Sequence, residues 1–127
     1  MRSSTAFLVG AVLALLFGAG FVLAPAMVLA VYALPGDAAT VLMARFFGVA
    51  LLQLGVSLWL LKETRDGATQ RGLAIGGAIG AVFGIVVALM GTLTGTVNAM
   101  GWSVVAIYVL LLFGYFSVLR GPQPAMA

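Results

Sequence analysis

Four apolar runs, each about 20 residues long, constrain this chain more than any other feature. They cover residues 5–24, 38–61, 72–93 and 101–119, and the first has an apolar continuation to residue 34. A helix rising ~1.5 Å per residue needs about 20 apolar residues to cross a hydrocarbon layer of ~30 Å. Within that layer every backbone N–H and C=O must find its partner inside the protein, so only helices and closed barrels are stable. The runs are continuous rather than alternating, which selects helices. Composition agrees, because 64% of the residues are hydrophobic and only 7% are charged. A soluble domain is about a quarter charged. The expected fold is all-α: one domain over residues 1–127, a polytopic membrane protein with four transmembrane helices in an antiparallel bundle.

The connections are "PGD" (35–37), "KETRDGATQR" (62–71) and "TGTVNAM" (94–100). Short connections make sequential helices antiparallel neighbours. Arg2, Lys62, Arg65, Arg71 and Arg120 fall at the N-terminus, in the middle connection or at the C-terminus. The outer two connections carry no Lys or Arg. The positive-inside rule therefore expects both termini in the cytoplasm. The start, "MRSSTAFLVGAVLALLFGAGFVLAPA", has signal-peptide elements, but its apolar stretch is long, so an uncleaved first helix is expected. Pro25 kinks or ends that helix, and residues 26–34 either continue it or lie at the outer interface, where Tyr32 would suit the headgroups. Trp59, Trp102 and Tyr115 fall at belt positions, while Tyr108 falls mid-span and needs a hydroxyl partner such as a backbone carbonyl or Gln53.

The chain has no cysteine and no histidine. Disulfides, thiol chemistry, Ser–His or Cys–His pairs and the usual haem, zinc and copper ligands are thereby excluded. No phosphate-binding loop, dinucleotide fingerprint or metalloprotease motif is present, and six basic residues are too few for a nucleic-acid surface. The expectation is a protein that is not an enzyme and holds no protein-ligated cofactor.

The third span, "GLAIGGAIGAVFG", sets Gly72, Gly76, Gly80 and Gly84 four residues apart. Such rows let helix backbones approach closely in lipid, where packing drives association. The row either packs inside the bundle or forms a face for a second copy or another subunit. Gly48 and Gly55 of the second span are further helix-packing candidates.

The second span carries Arg45 about six residues from its outer end. An intramembrane charge is a functional candidate by default. Side chains lean toward their helix N-terminus, so Arg45 leans outward and can reach the interface. Asp37, a suitable N-cap, is the acid on that side. Either Arg45 contacts Asp37 or a carbonyl, or it forms an outward-facing cationic site for a lipid phosphate, a quinone or other carbonyl headgroup, or a partner's carboxylate. Gln53 lies near mid-membrane and is expected to glue helices together. Asn98 and its neighbouring threonines form an outer polar turn. Lys62 and Asp66 would pair if the second helix continued inward.

"ARFFG" (44–48) and "LLQLG" (51–55) give the second span a resemblance to small bacterial four-helix membrane proteins of the DoxX-like kind. Those proteins often show an arginine followed by a glycine in a Leu/Gly-rich helix. The resemblance implies a bacterial cytoplasmic membrane. Some DoxX-like members are associated with quinone-linked redox complexes, which here would involve Arg45 alone. Three functions fit these residues. The first is an accessory or assembly subunit, or a homo-oligomer built through the third span. The second is a binder of a lipid, quinone or carotenoid around Arg45. The third is a small pore or holin-like oligomer.

Overall fold

A computed structural model describes residues 2–121; the outermost residues of the expected domain, Met1 and 122–127, lie outside it. Five helices form among the described residues: α1 (Ser3–Leu23), α2 (Pro25–Val31), α3 (Ala38–Leu61), α4 (Gly67–Leu93) and α5 (Gly101–Arg120). Four of them, α1, α3, α4 and α5, are long and apolar enough to cross a membrane. The additional helix arises at Pro25. Ala24 leaves helical geometry (φ −139°, ψ 58°) and Pro25 restarts the chain as the first residue of α2, a position where its missing N–H costs nothing. Residues 26–34 therefore do not extend α1 as one rod; most of them form the separate helix α2. Leu29 is 4% exposed and Tyr32 9% exposed, so Tyr32 is packed within the protein instead of facing headgroups.

The end of α2 is a Schellman-type stop. The Leu34 amide donates to the Leu29 carbonyl and the Ala33 amide to the Ala30 carbonyl. Ala33 takes φ +57°, the left-handed position that usually holds glycine.

Helices α3 and α4 begin alike. Asp37 accepts from the Thr40 amide at 3.3 Å and Asp66 from the Thr69 amide at 2.9 Å. Each aspartate also accepts from the hydroxyl of the same threonine. The two caps share the spacing Asp-x-x-Thr, "DAAT" and "DGAT". Capping by Asp66 starts α4 five residues before the expected residue 72. Helix α3 stops at Leu61, so Lys62 does not pair with Asp66; its ammonium lies 4.3 Å from the centre of the Trp59 ring and donates to the Trp59 carbonyl.

Helix α1 packs on α3 and α5, and α5 packs on α4. Contacts between α1 and α3 fall in opposite order along the two helices: Gly18 meets Gly48 and Leu52, Leu15 meets Gly55, and Gly10 meets Leu58. The same holds for α4 and α5, where Gly77 meets Tyr115 and Gly84 meets Tyr108. The buried cluster combines Phe7 and Ala11 of α1, Leu58 of α3, Ala74 of α4, and Tyr115 and Val118 of α5. All of these lie toward the end that carries the basic residues. Tyr115 is 5% exposed, a core residue and not the belt residue expected from its position. Trp59 and Trp102 are exposed at 44% and 49%, one near each end.

Candidate functional site

The polar candidates Arg45, Asp37, Gln53 and Asn98 are placed apart, each in a different role. Asp37 is committed to Thr40 as the cap of α3. The Thr40 hydroxyl, and then its amide, hold the Asp37 carboxyl below its ordinary value of 3.8. Thr69 does the same for Asp66. Arg45 is exposed and makes no ion pair or hydrogen bond among the described residues. It lies eight residues, ~12 Å along the axis, from Asp37, and the expected Arg45–Asp37 contact does not form.

Gln53 is exposed on α3. Its backbone carbonyl accepts from the Ser57 hydroxyl at 2.9 Å, but its amide joins no other helix. The expectation that Gln53 glues the bundle is thus corrected. Nor does it reach Tyr108, whose ring lies over Gly84. On α3 the buried residues are Ala44, Gly48, Gly55 and Leu58. At ~100° per residue, Arg45 lies about 90° from the centre of that face and Gln53 about 170° from it.

Asn98 is exposed in the turn between α4 and α5, as expected, but it is also tied to another part of the chain. Its side-chain amide donates to the Val31 carbonyl at 3.0 Å and its backbone amide to the Tyr32 carbonyl at 3.2 Å. Its side-chain oxygen accepts from the Met100 amide at 3.0 Å. One residue thereby fixes the α4–α5 turn to the end of α2. Nearby, Thr92 and Thr94 donate to carbonyls of their own helix.

A counterpart at the basic end escaped the sequence reading. Gln70 is 7% exposed. Its amide donates to the Thr64 carbonyl at 2.8 Å and to the Ser3 hydroxyl at 3.2 Å. It ties the 62–66 connection to the start of α1. The available signal was the "DGAT" cap, which extends the helix back through Gln70.

The glycine row divides. A Cβ on Gly72, Gly76 or Gly80 would meet nothing within 4 Å, whereas one on Gly84 would strike the Tyr108 ring. A four-residue step turns a helix by about 40° beyond a full turn. Over three steps the row moves about 120°, from the surface at Gly72 to the packed face at Gly84. The inward face of α4 instead follows Ala74, Gly77, Ala81 and Gly84, spaced by three and four. Packing within the chain therefore accounts for Gly84 and not for Gly72, Gly76 and Gly80. Gly48 and Gly55 do contact α1, with a Cβ on Gly48 standing 2.9 Å from the Gly18 carbonyl oxygen.

Beside the open glycines, Ala78, Ile79, Val82 and Phe83 line a shallow apolar depression. A second one is lined by Leu15, Val56, Trp59 and Leu60. Comparisons of the chain with protein families, with curated proteins and with solved structures return no match.

Proposed function

We propose that this chain is a non-catalytic integral membrane protein, an antiparallel four-helix bundle with both termini in the cytoplasm. Its role is that of an accessory subunit that associates with another membrane helix through the outer face of α4. The observation carrying this reading is the open row Gly72, Gly76 and Gly80, with nothing within 4 Å of a side chain placed there. Each glycine costs a helix about 1 kcal/mol relative to alanine, and no contact within the chain offsets that cost. A partner helix seated against the row would offset it, because small residues allow the close backbone contact that drives association in lipid. Helix α4 is also the least covered of the four, with 11% of its apolar span buried against 33% for α1. Phe83, 67% exposed beside the row, supplies a ridge for a facing groove. The bacterial cytoplasmic membrane belongs to the same proposal, through the DoxX-like resemblance of the second span.

The test exploits the absence of cysteine. Single cysteines at Gly76 and, as a control, at Phe113 of α5 are cross-linked in native membranes. A defined adduct at Gly76 and none at Phe113 supports the reading, and Gly80→Leu should abolish that adduct. Equal yields at both positions, or a lone monomer by native mass spectrometry from mild detergent, would sink it.

A further inference from the structure

Helix α3 presents a second, chemically different face. Leu42, Arg45, Val49, Gln53 and Val56 fall within about 80° of arc on its exposed side. Leu42, Val49 and Val56 are half exposed, at 50%, 54% and 50%. Arg45 and Gln53 are exposed among them with no side-chain partner in the described residues. Helix α3 has 24 residues, ~36 Å. Arg45 stands ~10 Å from its start, within reach of the interface by snorkelling. Gln53 stands ~22 Å from the start and ~12 Å from the other end, and its short side chain reaches neither interface. A lipid phosphate can satisfy the arginine but leaves the amide unpaired in hydrocarbon, where polar groups seek partners on another helix.

We propose that this face of α3 docks a membrane helix of another protein, one that presents an aspartate or glutamate at the depth of Arg45 and meets Gln53 about two turns deeper. The chain itself does not supply that carboxylate. Asp37, Glu63 and Asp66 all lie outside the spans, and two of them are helix caps. In a symmetric pair of like-oriented copies, residues of equal depth meet, so Arg45 would face Arg45. The charge therefore selects an acidic partner helix over a second copy. The inference extends the accessory-subunit reading to a face separate from the α4 row.

The full chain, labelled at Glu63→Cys, is reconstituted in phosphatidylcholine vesicles with acceptor-labelled Leu-rich transmembrane peptides. These carry Asp, Asn or Leu at the depth of Arg45, and association is read by energy transfer. The Asp peptide should bind about tenfold more tightly than the Leu peptide, the scale of one interhelical polar contact. Arg45→Leu and Arg45→Gln should each remove that preference, Arg45→Lys should retain part of it, and Gln53→Leu should weaken the Asp complex. Among the described residues the Arg45 and Gln53 side chains make no hydrogen bond or ion pair to lose, and circular dichroism verifies that each variant is folded. Equal binding of Asp and Leu peptides overturns the proposal, as does a preference that survives Arg45→Leu. In parallel vesicles that also contain phosphatidylglycerol, Arg45-dependent enrichment of that lipid without an Asp preference assigns the arginine to a lipid phosphate and also overturns it. Gln53-dependent self-association without peptide overturns it in favour of a second copy. Cross-linking at Gly76 is read independently, so failure here leaves the α4 result standing.

Discussion

Replacing Gly48 by alanine should destabilise the protein, while replacing Gly76 by alanine should not. The two glycines carry the same intrinsic helix penalty and differ only in their surroundings. A Cβ on Gly48 would stand 2.9 Å from the Gly18 carbonyl oxygen, 2.9 Å from the Phe21 Cβ and 2.9 Å from the Val22 Cγ2. The first of these is backbone and cannot rotate away, so α1 and α3 must separate by several tenths of an ångström. Overpacking of this kind costs about 1–3 kcal/mol, against a helix gain of about 1 kcal/mol from removing glycine. The expected net effect of Gly48→Ala is a loss of up to about 2 kcal/mol. Gly76→Ala meets nothing within 4 Å and keeps only the gain, up to about 1 kcal/mol. Unfolding by SDS titration in dilute dodecylmaltoside, followed by the fluorescence of Trp59 and Trp102, measures both. Dilution matters because it removes any contribution from association. A Gly48→Ala as stabilising as Gly76→Ala would mean that α1 and α3 cross less closely than described. A destabilising Gly76→Ala in the dilute monomer would place the glycine row inside the bundle and withdraw the argument for a partner.

Three further outcomes are expected. Ala33→Gly should raise stability by about 1 kcal/mol, since Ala33 holds φ +57°, a conformation that penalises a Cβ; the same SDS titration reads it. The Asp37 and Asp66 carboxyls are held below 3.8 by their threonines. A depressed folded value gives stability that is present above about pH 4 and lost as pH falls through the folded values. Acid titration followed by circular dichroism should therefore show a low-pH loss of helix that Asp37→Asn with Asp66→Asn flattens. Gln70→Ala leaves the Thr64 carbonyl without its side-chain donor and should cost about 1–3 kcal/mol, with faster proteolysis at the 62–66 connection.

The spans were legible because apolar length alone determines whether a helix can cross lipid. The start of α3 was legible for a second reason, since Asp37 is a recognisable cap before an apolar run. The same spacing at Asp66 was masked by the polar letters "TQR" behind it, which read as loop until Gln70 is seen turned inward. The glycine row shows a different limit. A four-residue period is nearly a helical turn, but the residual 40° accumulates, and only the surrounding helices reveal where the row leaves the surface. Arg45, Asp37 and Asn98 share an apparent outer polar side in the linear sequence. Which of them meet depends on contacts beyond sequence order: Asp37 is taken by a threonine three residues away, and Asn98 by carbonyls 66 and 67 positions earlier. Tyr115 was misassigned for the same reason, since its depth suits a belt but Gly10 and Gly77 open a socket for its ring.

Asn98 also has a mechanical meaning. The α1–α3 and α4–α5 pairs are clamped together at the basic end by Phe7, Leu58, Ala74 and Tyr115. At the far end, the Asn98 bonds to the Val31 and Tyr32 carbonyls span the two pairs. Two arms joined at one end and latched at the other form a pair of tongs. Their hinge sits at the end that carries the basic residues, and at the opposite end one residue, Asn98, holds the tips through its side-chain and backbone amides. A group that displaced both bonds would unlatch the tips.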